Sequence, residues 1–178
     1  MQKVVITGHD LTVDQIIAVC REGAEVVLSD ESREKILASR QVVNELVEER
    51  KVVYGITTGF GKFSDVVISQ DECKLLQKNL IITHAVGAGD PFKEDIARGI
   101  LLLRVTSLSN GFSGICLETV ETMIAMLNKG VTPFIPEKGS LGASGDLAPL
   151  SHMVLPMIGL GMAWYKGELL PGAEAREG

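Results

Sequence analysis

At 178 residues the chain is long enough for one domain with a substantial core, rich in aliphatic residues against 5 Phe, 2 Tyr and 1 Trp. A formal charge of −6 argues against a nucleic-acid footprint, which needs a basic patch. Cys20, Cys73 and Cys116 are far apart and odd in number, so they read as reduced buried thiols rather than a disulfide framework or zinc site. The amino terminus lacks the basic-then-apolar pattern of a signal peptide. The apolar stretches 97–103 and 153–163 are too short, or too interrupted by glycine, to span a bilayer. A soluble, cytoplasmic, mainly helical protein is the expectation.

Lys3–Ile6 reads as a short strand, and Leu11–Arg21 as a helix with apolar residues at 13, 16, 17 and 20 and Thr12 as its cap. Val26–Leu28 is a second strand. Ser29 then caps a long helix, with Asp30 and Glu31 at its positive end and Ile36, Leu37, Val43, Leu46 and Val47 along one side. Lys51–Tyr54 is expected to be a strand or extended segment entering the glycine-rich run Gly55–Lys62. That run is not a phosphate loop: five residues separate Gly55 from Gly61-Lys62 where four are needed, and Phe63 stands where Ser or Thr belongs. Ser64 likewise spoils the dinucleotide fingerprint.

Ser69-Gln70-Asp71-Glu72 forms a capping box for a helix running through Leu75, Leu76, Leu80 and Ile81 towards His84. Gly87–Pro91 reads as a turn. Pro91, Glu94 and Asp95 open a further helix that reaches Leu108, and Asn110–Gly114 breaks it. The next helix, from about Ile115 to Asn128, stops at Gly130. Val131–Pro136 is extended, because its two prolines prevent helix. Past residue 147 the chain is apolar, with Pro149, Pro156 and Gly159 interrupting a simple helix. Met162–Leu170 suggests a hairpin about Lys166-Gly167, and Pro171–Gly178 a frayed end.

The stretch with the most unusual chemistry is Gly139–His152, Gly-Ser-Leu-Gly-Ala-Ser-Gly-Asp-Leu-Ala-Pro-Leu-Ser-His. Its glycines allow backbone angles and close approaches that other residues do not. Within it, the nitrogen of Gly145 can attack the carbonyl carbon of Ala143 if the loop bends hard. Loss of the ring water, and of the Ser144 hydroxyl as a second water, leaves an exocyclic methylene on an imidazolone. That group is an electrophile, which no side chain provides. On the tripeptide alone a plain helix cap by Ser144 or Asp146 is the better explanation of the residues.

The full string resembles the signature of the aromatic amino acid ammonia-lyase and aminomutase family, whose members use a methylidene-imidazolone (MIO) formed from Ala-Ser-Gly. Tyr54–Gly61 is similar to that family's Tyr-Gly-(Val/Ile)-(Thr/Asn)-Thr-Gly-Phe-Gly segment, and Thr83–Gly87 to its histidine-specific version. Tyrosine-selective members tend to carry His-Leu, and phenylalanine-selective ones Phe-Leu, where Thr83-His84 stands. The resemblance implies the amino-terminal region, here 1–178, of the fumarase/aspartase-like fold. This is a mainly α domain with a few short strands and hairpins, lacking the long central helix bundle.

The resemblance further implies an ammonia-lyase of homotetrameric assembly that converts histidine to urocanate and needs no metal. The MIO electrophile would come from Ala143, Ser144 and Gly145, with Asp146 helping to position the loop. Tyr54 would be the β-proton base, and His84 would bind the substrate side chain. The family's substrate-carboxylate arginine, and further tyrosine, asparagine and glutamate groups, belong to later segments, so the site of these residues alone is expected to be incomplete and inactive. Where the family carries Asn, this chain has Thr106, and no role is assigned to it. A phenylalanine or tyrosine lyase or aminomutase is the alternative within the family; a non-catalytic binding or assembly module is the alternative of another class.

Overall fold

The computed structural model describes residues 2–58, 70–141 and 145–177, with backbone alone at 70–74. The readings made on Gly59–Lys62, on Phe63 and Ser64, on the Ser69 capping box and on Cys73 lie outside the described residues or side chains, as do those on Gly142, Ala143 and Ser144.

Along strand β1 (Lys3–Ile6), Val4 and Ile6 are buried while Lys3 and Val5 face solvent, the alternation of a half-buried strand. Strand β2 (Glu25–Leu28) repeats it with Val26 and Leu28. The two pair in parallel, from Lys3 opposite Glu25 to Ile6 opposite Leu28. Parallel pairing needs a crossover, and helix α1 (Val13–Arg21) supplies it. Thr12 caps α1 as expected, and Gln15 returns the bond to make a capping box.

Helix α2 (Asp30–Glu48) starts at Ser29, whose hydroxyl accepts from the Ser32 amide. Ile36 is fully buried, whereas Leu37, expected on the same side, is half-exposed. Adjacent residues lie about 100° apart round a helix, so the two cannot share one narrow contact face. After helix α3 (Gln70–His84), helices α4 (Glu94–Leu108) and α5 (Leu117–Lys129) carry most of the core: Leu101, Leu102 and Val105 meet Val120, Met123 and Leu127. Gly130 ends α5 in the left-handed conformation, as its position suggested.

Three sequence readings change. Residues 51–53 form no strand: the Thr57 hydroxyl accepts from the Val53 amide and donates to the Lys51 carbonyl, closing a turn at 54–57. The expected turn at Gly87–Pro91 is largely strand β3 (Ala88–Pro91), paired antiparallel with β5 (Pro136–Lys138) through an irregular register. The expected frayed end is helix α7 (Gly172–Glu177), with Ala175 fully buried against the rest of the core. Cys20 and Cys116 are half-buried, less enclosed than expected.

Strand β4 (Thr132–Pro133) joins β6 (Met162–Tyr165) and β7 (Glu168–Pro171) in a three-stranded sheet. Lys166 and Gly167 both take positive φ at the β6–β7 hairpin, as expected there. The architecture is mainly helical with short strands, and no helix among the described residues is long and apolar enough to cross a membrane.

Asn128, near the end of α5, completes the parallel pair. The Val26 N–H donates to its Oδ1 at 2.8 Å, and its Nδ2 donates to the Val26 carbonyl at 2.9 Å. A side-chain amide thus takes the place of a further strand. Asn128→Ala is expected to cost about 2 kcal/mol in urea unfolding, because it strands two partly buried backbone groups at once. Asn128→Asp, which keeps the acceptor but sets a carboxylate oxygen against the Val26 carbonyl, should cost at least as much.

Candidate active site

The loop of interest lies between β5 and helix α6 (Leu147–Val154), and its two described ends are held by different means. At the near end Gly139 has a φ of +147°, and a Cβ there would lie 2.9 Å from the Gly87 Cα and 3.3 Å from the Ala148 Cβ. Only a residue without a side chain permits that approach. At the far end the Ser140 hydroxyl donates to Asp146 Oδ1, joining the start of the loop to its end. Gly145 has a φ of +88°, with open space where a Cβ would stand. Asp146 is the N-cap residue of α6 by position but makes no side-chain cap bond. Its carboxylate serves the loop instead. Pro149 falls in the first turn of α6, where its missing N–H costs nothing.

The segment that touches the loop is the exit of α3. His84 is its last residue, and its Nδ1 lies 2.8 Å from the Leu80 carbonyl. A carbonyl only accepts, so Nδ1 carries a proton and Nε2 is the nitrogen left for another partner. The Thr83 hydroxyl donates to the same carbonyl at 3.1 Å. Three residues on, Gly87 lies against Gly139, and its N–H donates to Nε2 of His152 at 3.0 Å. His152 sits in the last turn of α6. The β3–β5 pairing, Ala88 opposite Lys138, runs directly out of this junction.

The fold therefore brings the His84 segment and both described ends of the loop to one place. Tyr54 stands in the 54–57 turn and is 62% exposed. Ala143 and Ser144 lie outside the described residues. Thr106, at the family's Asn position, bonds back to the Leu102 carbonyl of its own helix at 3.0 Å. Sequence reasoning missed the role of Ser140 and the partnership of His152 with Gly87. Both residues stood inside the recognised string, yet the partner of His152 is 65 positions away and leaves no periodic trace. Among the described residues, no group of three or more His, Cys, Asp or Glu is placed to hold a metal ion.

Residues 11–178 match the model of the aromatic amino acid lyase family. The chain belongs to that family. A histidine ammonia-lyase of Caldanaerobacter subterraneus subsp. tengcongensis is 60% identical over 175 residues, covering 98% of this chain and 34% of the relative. Among solved structures, the histidine ammonia-lyase of Trypanosoma cruzi matches with a TM-score of 0.92 at 38% identity, covering 99% of this chain and 34% of that one. Ergothionase, an ergothioneine-degrading enzyme of Treponema denticola, matches with a TM-score of 0.94 at 30% identity, covering 99% and 35%. The chain spans about a third of the length of the curated relatives it matches, and it has the fold of the amino-terminal part of those lyases.

Burial at the junction pushes the His152 imidazole below its ordinary value of 6.5. The neutral ring is the form that accepts from Gly87, so folding favours it. The unfolded chain therefore binds this proton at higher pH than the folded one. The contribution is complete above pH 6.5 and is lost as pH falls from there through the lowered folded value. Urea unfolding across that range should show a shallower acid decline for His152→Gln, which cannot titrate, than for the wild type.

Proposed function

We propose that this chain is part of an enzyme that deaminates L-histidine without oxidation to urocanate and ammonia. The carbon–nitrogen bond breaks, one β-proton is lost and a conjugated double bond forms. The observation that carries the reading is the contact of Gly139 with Gly87, which seats the start of the loop against the segment leaving His84. The described flanks suit a ring at 143–145: Gly145 has no side chain, takes a left-handed φ and stands in open space, and Ser140 and Asp146 close the loop. Ala143, Ser144 and Gly145 would form a methylidene-imidazolone, which would supply an electrophile for the substrate amine or its aromatic ring.

The remaining work falls to side chains. His84, its Nδ1 proton committed to Leu80, presents Nε2 as an acceptor for the N–H of a substrate imidazole. Thr83 shares the same carbonyl and stiffens that end of α3. Tyr54, exposed on its turn, takes the β-proton as general base. Asp146 holds the loop's exit through Ser140. The identity with histidine ammonia-lyases favours histidine over phenylalanine or tyrosine. Cytoplasmic location and a homotetramer belong to the same reading.

The test is an intact mass measured beside Ser144→Ala, together with urocanate release by the complete chain that the gene encodes. The wild type should lack the mass of two waters and the mutant should not. Tyr54→Phe should keep that deficit while losing roughly two to three orders of magnitude in kcat. An unmodified mass and no urocanate from the complete chain would sink the proposal.

A further inference from the structure

One titratable side chain that the proposed chemistry does not use sits at the junction of the loop and the His84 segment. His152 accepts from the Gly87 amide, and the two belong to elements far apart in the chain. Two features single out this bond. As the chain leaves α3, the Ala85 amide still finds the Ile81 carbonyl and the Val86 amide that of His84, but the next amide, Gly87, turns to a side chain. The imidazole also packs flush against the backbone: a Cβ at Gly87 would lie 3.0 Å from Nε2 and 3.0 Å from the Pro136 Cβ. Burial lowers the proton affinity of the ring, which keeps the acceptor nitrogen free.

We propose that His152 is a positioning residue that governs substrate selectivity, its Nε2 anchoring Gly87 and thereby setting where the Thr83-His84 end of α3 meets the substrate ring. It acts through His84 and touches no substrate. The inference rests on the histidine-lyase reading. Gly87 is three residues from His84, so a shift at Gly87 passes to His84 through a short link. Gly139 lies on the same glycine, so the selectivity segment and the electrophile loop are held in one register.

The experiment uses the complete chain that the gene encodes, with kcat and KM measured for L-histidine and L-phenylalanine. His152→Leu fills the space but cannot accept, and should raise the KM for histidine roughly tenfold while kcat changes much less. The preference for histidine over phenylalanine should narrow in parallel. His152→Gln places an amide oxygen where Nε2 stands and should restore both values. If His152→Leu fails to fold, His152→Asn, whose oxygen falls one bond short, replaces it with the same expectation.

An unchanged histidine KM in a folded Leu or Asn variant overturns the proposal. So does a Gln variant as impaired as Leu, or a fall confined to kcat in step with lost folded protein. A wild type that deaminates a different aromatic amino acid overturns the choice of histidine alone, and the KM split and Gln rescue are then read on that amino acid. A wild type active on no aromatic amino acid overturns both.

Discussion

Two glycine backbones meeting side on, Gly87 and Gly139, are the constraint on which the rest of the candidate site depends. A Cβ at either position would enter occupied space: the Gly87 backbone in one case, His152 and Pro136 in the other. The approach allows the exit of α3, the start of the loop and the face of α6 to occupy one small volume. Around it the polar groups are paired across segments, Gly87 with His152 and Ser140 with Asp146. Left unpaired at the partly buried junction, the Gly87 amide and the His152 ring nitrogen would each cost free energy.

The wider fold serves to hold that junction. The parallel pair β1–β2 is too small to stand alone, and α1, α4 and α5 cover its apolar face while Asn128 closes its open backbone. The α4–α5 layer then fixes β4, and β5 follows it directly into the loop. Arg98 adds a second tie, donating to the terminal carbonyls of two helices at Val19 and Leu127. Its side chain crosses between them and so links α1, α4 and α5. A site assembled from segments 65 residues apart needs that kind of frame.

Several apolar side chains remain in solvent. Phe112 is 93% exposed at the tip of the Asn110–Gly114 loop, which is tied to α2 through Ser39 and Arg40. Leu141 on the loop, Val86 beside Gly87 and Val52 near Tyr54 are exposed too. The matched relatives are about three times as long as this chain. Exposed apolar surface next to a site suits the approach of further polypeptide.

The sequence by itself determined much of the local structure and the family to which the chain belongs. Alternation set β1 and β2; Thr12, Ser29 and Gly130 set helix ends; Lys166-Gly167 set a hairpin. Each depends on residues a few positions apart, which is the range over which backbone propensity acts. The string Gly139–His152, with Tyr54–Gly61 and Thr83–Gly87, was enough to place the chain in its family. Only the tertiary structure decided what lay beyond that range. It made 88–91 a strand, because β5 was there to pair with it, and 172–177 a helix, because the core accepted Ala175. It turned Asp146 from a helix cap into a loop clasp and gave His152 a partner on a distant segment. Such contacts follow from shape and burial in three dimensions, and no local pattern of residues encodes them.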